Sequence, residues 1–226
     1  MSVISSGHLR RIAQPLLFRY WFKRGTNREA VTAVGGFELC VLPTVFHPKY
    51  FGSSLILGEY VESVPLEGKT FLDMGTGCGI IGFFAARKGA TVTAVDINPQ
   101  AVACAERNAI SCGFKIEYLQ SDLFSAICDR RFDVIAWNPP FFPKAAMSMA
   151  EAALYAGDDY RVIARFAQEC RQHLAQGGRV ILILSFDVDV PALESIFQTE
   201  GFSVTRALTR TWGLGEKMVI LVLCPK

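Results

Sequence analysis

From Lys69 onward the chain alternates short apolar runs with amphipathic stretches, and that alternation leaves few folds open to it. Strands are predicted over Thr70–Met74, Thr91–Val95, Ile116–Leu119 and Phe132–Trp137, followed by the continuous apolar run Val180–Leu184. A run apolar on both faces belongs to a strand covered by helices on both sides. The intervening helices are placed at Ile80 to about Lys88, Pro99 to about Cys112, Tyr160–Leu174 (closed by Gly177-Gly178) and Pro191–Glu200. Pro99 suits the first turn of a helix, where its locked dihedral and missing N–H cost nothing. Two β-rich runs near the C-terminus, Ser203–Leu208 and Lys217–Leu223, are close enough to pair antiparallel. The sum is an α/β, doubly wound, mostly parallel seven-stranded sheet of Rossmann-like form.

Residues 1–50 read as an extension to this domain, which is placed at 51–226. A helix around Leu9 to Arg24 is interrupted by Pro15, and Ala30–Val41 alternates about Gly35-Gly36, the signature of a β-hairpin. After a loop at Val45–Lys49, Ser53 or Ser54 is expected to cap a helix running to about Ser63. The first acid is Glu29, preceded by Arg10, Arg11, Arg19, Lys23, Arg24 and Arg28. Those basic residues break up any signal-peptide core, and no apolar run is long enough to span a bilayer. They suit a solvated helix rim or contact with an acidic partner. The net charge of only +2 gives no global case for nucleic acid. The seven cysteines form no C-x-x-C pair, and His8, His47 and His173 are far apart. No metal site or disulfide framework is therefore expected, and a reducing, cytoplasmic setting follows.

The first parallel strand runs into Asp73-Met74-Gly75-Thr76-Gly77-Cys78-Gly79 and then directly into a helix. Such a loop turns tightly and lets a ligand approach backbone with no Cβ in the way. Asp96 ends the next strand, placed to accept from two ribose hydroxyls. Gly77-x-Gly79-x-x-Gly82 with Asp96 downstream also matches the dinucleotide fingerprint. A pyrophosphate prefers a helix N-terminus free of negative charge, whereas Asp73 suits a cationic ligand such as S-adenosyl-L-methionine, with its sulfonium and amino groups. The loop alone leaves both readings open. Asp122, in Leu119-Gln120-Ser121-Asp122-Leu123-Phe124, is placed to accept from an adenine amino group or else to cap the following turn.

After the fourth strand comes Asn138-Pro139-Pro140-Phe141. Consecutive prolines end the ladder and fix a rigid bend. The bend aims two acceptors, the Asn138 side chain and the Pro139 carbonyl, at the mouth of the sheet, where they match the two protons of a planar NH2 group. Holding both N–H bonds turns the nitrogen lone pair toward an electrophile and stabilises the charge that develops on it. Phe141 can stack on a planar amide or base.

The glycine loop, the acid after the second strand and N-P-P-F after the fourth together resemble class I S-adenosylmethionine-dependent methyltransferases acting on planar nitrogens. Within that group the chain is similar to the HemK/PrmC-like release-factor glutamine N-methyltransferases, from about Val45 to the C-terminus. Val45-Phe46-His47-Pro48-Lys49 resembles that family's V-F-x-P-R segment, and Ala153-Leu154-Tyr155-Ala156-Gly157-Asp158-Asp159 its A-L-x-G-G-x-D-G stretch. Tyr50-Phe51-Gly52-Ser53-Ser54 stands where the family carries acidic residues, and Phe141 where it usually carries tyrosine. The resemblance implies that Gly75, Gly77 and Gly79 line the methionine end of the cofactor. It places Asp96 at the ribose and Asp122 at the adenine, and it makes Asn138, Pro139 and Phe141 the holders of the acceptor nitrogen. That nitrogen is expected on a protein glutamine, with a partner in translation, or alternatively on an RNA or DNA base amino group. An NAD-type oxidoreductase and a non-catalytic binding module are the competing classes; the first leaves Asn138–Phe141 without a task.

Overall fold

The computed structural model describes residues 28–213 and 215–226. The basic N-terminal segment and its expected helix lie outside the described residues. The first elements are strands β1 (Ala30–Val34) and β2 (Phe37–Val41), an antiparallel hairpin with Val34 opposite Phe37. Gly35 and Gly36 form the two-residue turn with φ of 62° and 82°, the left-handed pair that a tight hairpin demands.

Helix α1 (Ser53–Glu62) leads into the sheet. Strands β3 (Thr70–Met74), β4 (Thr91–Asp96), β5 (Glu117–Gln120), β6 (Phe132–Trp137), β7 (Leu174–Ser185), β8 (Phe202–Trp212) and β9 (Glu216–Pro225) pair in the order β5-β4-β3-β6-β7-β9-β8. The first five are parallel, and β9 runs antiparallel to both β7 and β8. The connecting helices are α2 (Ile80–Arg87), α3 (Pro99–Cys112), the short α4 (Met149–Ala152), α5 (Arg161–Cys170) and α6 (Val190–Thr199). The doubly wound seven-stranded expectation is met, and the C-terminal runs do form an antiparallel pair.

Strand β8 runs on to Trp212, past its expected end at Leu208, and one helix boundary differs in kind. Gly177-Gly178 does not close a helix: α5 gives way to a 3-10 turn at Arg171–His173, and the glycines lie inside β7. The β6–β7 register slips between Phe132 and Val134, and a Cβ on Gly178 would come within 2.8 Å of the Phe132 carbonyl. The glycine therefore serves a close backbone approach at a bulge rather than a helix stop.

Alternate residues along each strand serve two cores. Phe71, Val134, Ala136, Ile181 and Ile183 pack with α1, α2, α3 and the hairpin, while Leu72, Met74, Ile135, Trp137 and Leu182 pack with α5 and α6. The hairpin is fused to the first core. Phe84 of α2 fills a slot beside Gly35 and Gly58, and Phe37 meets it edge-on at 5.3 Å. Asn108, 1% exposed on α3, accepts from the Cys40 N–H (2.8 Å) and donates to the carbonyls of Cys40 (2.9 Å) and Cys78 (3.0 Å). One amide thus bolts β2 to the glycine loop.

Replacing Asn108 by alanine strands those buried backbone groups and should destabilise the fold by about 3 kcal/mol, read as a lower urea midpoint with an unchanged slope.

Candidate functional site

The residues singled out from sequence gather at one end of the sheet. Met74 of β3 pairs with Val95 on one side and Trp137 on the other, and Asp96 pairs with Gln120. Gly75, Asp96 and Asn138 therefore stand at nearly one level, at the carboxyl ends of parallel strands. The chain winds outward from β3 in both directions, to β4 and to β6, so a crevice opens here, where α/β sheets take their ligands.

The glycine loop is held by two carboxylates. Asp73 is wholly buried; its Oδ2 accepts from the Thr76 hydroxyl (2.6 Å) and the Gly82 N–H (3.0 Å), and its Oδ1 has no partner. Burial, with the nearby Asp96 adding to it, pushes the Asp73 carboxyl up to about 7 despite those two hydrogen bonds. Asp96 accepts from the N–H groups of Gly77 (3.0 Å) and Asn98 (2.9 Å), and burial raises its pKa too. The Gly77 and Gly82 amides and the Thr76 hydroxyl, which a pyrophosphate could use at this helix start, are thus already given to carboxyl groups. The arrangement favours a ligand carrying positive charge over a dinucleotide.

The glycines divide by task. Gly75, Gly77 and Gly79 all have positive φ (65°, 57° and 96°). A Cβ on Gly77 would meet nothing within 4 Å, and one on Gly75 only the Trp137 indole at 3.6 Å. Gly77 faces open space that a ligand can enter, and Gly75 is crowded only by that indole. A Cβ on Gly79 would instead come within 2.6 Å of Phe83, so Gly79 serves internal packing. Ile97, next to Asp96, is an apolar side chain 41% exposed at the same mouth. Asp122 lies farther out: its exposed carboxylate is ion-paired with Arg165 of α5.

The Asn138 side chain is held from across the cleft. Its Nδ2 donates to the Ser53 (3.1 Å) and Ser54 (3.0 Å) hydroxyls, while its Oδ1 is buried without a partner. Neither serine caps α1, whose N-cap is Gly52 with no side-chain hydrogen bond; the expected capping role is corrected to this one. Gly52 is small because the Trp212 indole lies against it and would overlap any Cβ there. Trp212 ends β8, so that end of the strand reaches the α1 side of the cleft. Sequence reasoning missed Gly52, Ser53 and Ser54 as site residues and passed over Ile97. The only sequence signal for the first three was Gly-Ser-Ser standing where the resembling family carries acids.

Pro139 is buried and Phe141 is half-buried against the second core. The loop beyond them is braced by the Ala153–Asp159 stretch. Phe142 donates to the Leu154 carbonyl (2.9 Å) and accepts from the Ala156 N–H (2.8 Å), and Gly157 donates to Lys144 (3.0 Å). Asp159 and Tyr160 follow with φ of 52° and 58°. Two successive non-glycine residues in the left-handed region store about 1–2 kcal/mol each, a cost met mostly at functional sites. Among the described residues no group of His, Cys, Asp and Glu is placed to hold a metal, and no helix is long and apolar enough to cross a membrane.

Against known proteins, the family model for the methyltransferase small domain matches residues 36–207. The release factor glutamine methyltransferase of Geobacter sulfurreducens is 31% identical over 182 residues, covering 74% of this chain and 62% of that protein. The tRNA1(Val) (adenine(37)-N6)-methyltransferase of Glaesserella parasuis is 28% identical over 187 residues, covering 76% and 74%. In fold, the chain matches the T. thermophilus 16S rRNA N2 G1207 methyltransferase, solved with S-adenosylmethionine and guanosine, at a TM-score of 0.65. Identity there is 24%, with 88% of this chain and 50% of that one covered. The chain thus spans less than two thirds of the Geobacter enzyme it matches.

The raised Asp73 carboxyl has a measurable consequence. Between its ordinary value of 3.8 and about 7, the unfolded chain is ionised while the folded one keeps its proton, so Asp73's contribution to stability falls as pH rises through that window. The stability difference between wild type and Asp73→Asn should therefore move against wild type from about pH 4 to about pH 7 and stay level above it. A difference that is flat across the window would show Asp73 ionised in the free protein.

Proposed function

Because the chain belongs to the methyltransferase small domain family, a class I S-adenosylmethionine-dependent group related at modest identity to the release-factor glutamine methyltransferases, we propose that it methylates a planar NH2 nitrogen, the side-chain amide of a glutamine in a protein partner. The observation that carries this reading is the Asn138 amide, tied through its nitrogen and left with a buried oxygen that has no partner.

The open face of Gly77 and the paired carboxyl groups fit the cofactor. Gly75 and Gly77 would lie against its methionine end, with Gly79 setting the turn. Asp73 lies behind the loop, where the adjoining positive charge of the cofactor would draw its carboxyl toward the ionised form. Asp96 would accept from ribose hydroxyls beside Ile97, and Asp122 would stand on the adenine side, sharing its carboxylate with Arg165. When bound, the cofactor supplies a methyl group made electrophilic by a sulfonium.

The protein's share of the chemistry is positioning and electrostatics. An amide nitrogen is a poor nucleophile because its lone pair is delocalised. The Asn138 Oδ1 accepts one N–H of the acceptor and the Pro139 carbonyl the other, which turns the lone pair toward the methyl group and stabilises positive charge growing on nitrogen. Phe141 packs on the planar amide. The nitrogen becomes acidic as it is alkylated, so its proton can pass to solvent without a strong base. An unpaired buried acceptor costs about 1–3 kcal/mol, and an incoming N–H relieves that cost.

Support for glutamine comes from the Ala153–Asp159 stretch, which resembles the release-factor enzymes and braces the N-P-P-F loop, and from the Geobacter relative. An exocyclic amino group of a nucleic-acid base is the second reading. The half-exposed stacked pair Phe46–Phe51, 4.6 Å between centroids and one residue from Gly52, favours it, as does the tRNA-modifying relative.

Cell fractions incubated with the protein and methyl-labelled cofactor should take up label that survives nuclease and is lost to protease; nuclease-sensitive label would overturn the glutamine reading in favour of the base. Asn138→Ala should lower transfer by about 100-fold or more while S-adenosylhomocysteine affinity, measured by calorimetry, stays within about twofold.

A further inference from the structure

The two serines that open α1 stand outside every role given so far to the cofactor or the acceptor. Ser53 is 1% exposed and Ser54 is 7% exposed. They lie 85 and 84 residues from Asn138 in sequence, yet both hydroxyl oxygens accept from its Nδ2, at 3.1 and 3.0 Å. A side-chain amide has two N–H donors, and here both are spent on one pair of neighbouring hydroxyls.

This pairing fixes where the amide sits. Nitrogen and oxygen of an asparagine amide are nearly the same size, so shape alone cannot stop the group from turning over. In the arrangement observed, both hydroxyls accept from the nitrogen, and Oδ1 is left buried without a partner. Because a hydroxyl can also donate, the serines fix where the amide sits, and the N–H groups of an incoming acceptor favour the face that keeps Oδ1 toward them. Turned over, the amide would present donors to an acceptor nitrogen that needs its own N–H groups accepted, and binding would become repulsive. The Pro139 and Pro140 bend fixes the backbone of Asn138 but leaves this last rotation free.

We infer that Ser53 and Ser54 are positioning residues for methyl transfer, acting through Asn138 by holding its amide in place, and that the first turn of α1 is therefore part of the active site. This rests on the proposed role of Asn138. The pair is itself held in place: Gly52, just before it, is pinned under Trp212, and the α1 residues Ile56 and Leu57 behind it are buried in the first core. The hydroxyls thus occupy fixed positions on a packed helix, as a positioning device requires.

The test compares wild type, Ser53→Ala, Ser54→Ala, the double alanine variant and Ser54→Thr, which keeps the hydroxyl. Transfer of labelled methyl into the fraction that wild type labels is read at saturating cofactor, alongside S-adenosylhomocysteine affinity and the thermal midpoint. Each single alanine variant, with one acceptor left, should lose a few-fold. The double variant should lose about 10- to 100-fold, the scale of a misplaced reacting group. Affinity for S-adenosylhomocysteine should stay within about twofold, and Ser54→Thr should retain most of the rate. Full activity in the double variant overturns the inference. So does a loss matched by an equal loss of S-adenosylhomocysteine affinity, or one that Ser54→Thr shares in full, since either marks a merely structural role. If the double variant does not fold, the two single variants carry the same comparison. Absence of any label with wild type would count against the methyl-acceptor reading itself, and is distinguishable because it precedes every variant.

Discussion

Strand β3 is hydrogen-bonded on both edges, and its register with β4 and β6 underlies every other feature of the site. Met74 faces Val95 on one side and Trp137 on the other. The residue after each of the three strands, or the last one in β4, therefore reaches the cleft at a common level. A slip of one residue in either ladder would turn alternate side chains from one core to the other. The two cores, built from opposite parities of the same strands, forbid that slip. The glycine loop, Asp96 and Asn138 converge because hydrophobic alternation leaves them nowhere else to be.

Within the cleft, charge and hydrogen-bond direction do the selecting. Asp73 and Asp96 already accept from the Thr76 hydroxyl and from the Gly77 and Gly82 amides, so carboxyl groups and an open glycine face stand where a pyrophosphate would want donors. Across the sheet the reverse holds. The donors of Asn138 are consumed and its acceptor is left over. One side thus suits a cation and the other suits an N–H, which is the polarity that methyl transfer from a sulfonium to a neutral nitrogen calls for.

The hairpin and α1 take part in this arrangement. Phe84 locks Gly35 and Gly58 together across α2, Asn108 joins β2 to the loop at Cys78, and the serines of α1 grip Asn138. The segment upstream of the parallel sheet thereby carries part of the site's precision. The strained Asp159–Tyr160 corner does the same from the opposite side, because the stretch before it holds the backbone beyond Phe141.

The strands, the switch point and the two signature loops were legible in the chain because they depend on local facts: period-two and helical alternation, glycine where φ is positive, proline where a ladder must stop. Asn138 and its prolines could be named for the same reason. What remained hidden was non-local. Gly177-Gly178 looked like a helix stop because only the approach of the Phe132 carbonyl reveals a bulge. Ser53 and Ser54 looked like caps because a serine before a helix usually is one, and nothing within the segment says that an amide more than eighty residues away will take both hydroxyls. The sequence by itself determined the layered sheet and where its ligand-facing loops would fall, since burial patterns and backbone dihedrals are written residue by residue. Only the tertiary structure decided which atoms at those loops are spent and which are left over, because a hydrogen-bond partner is settled by distance in space and not by neighbourhood along the chain.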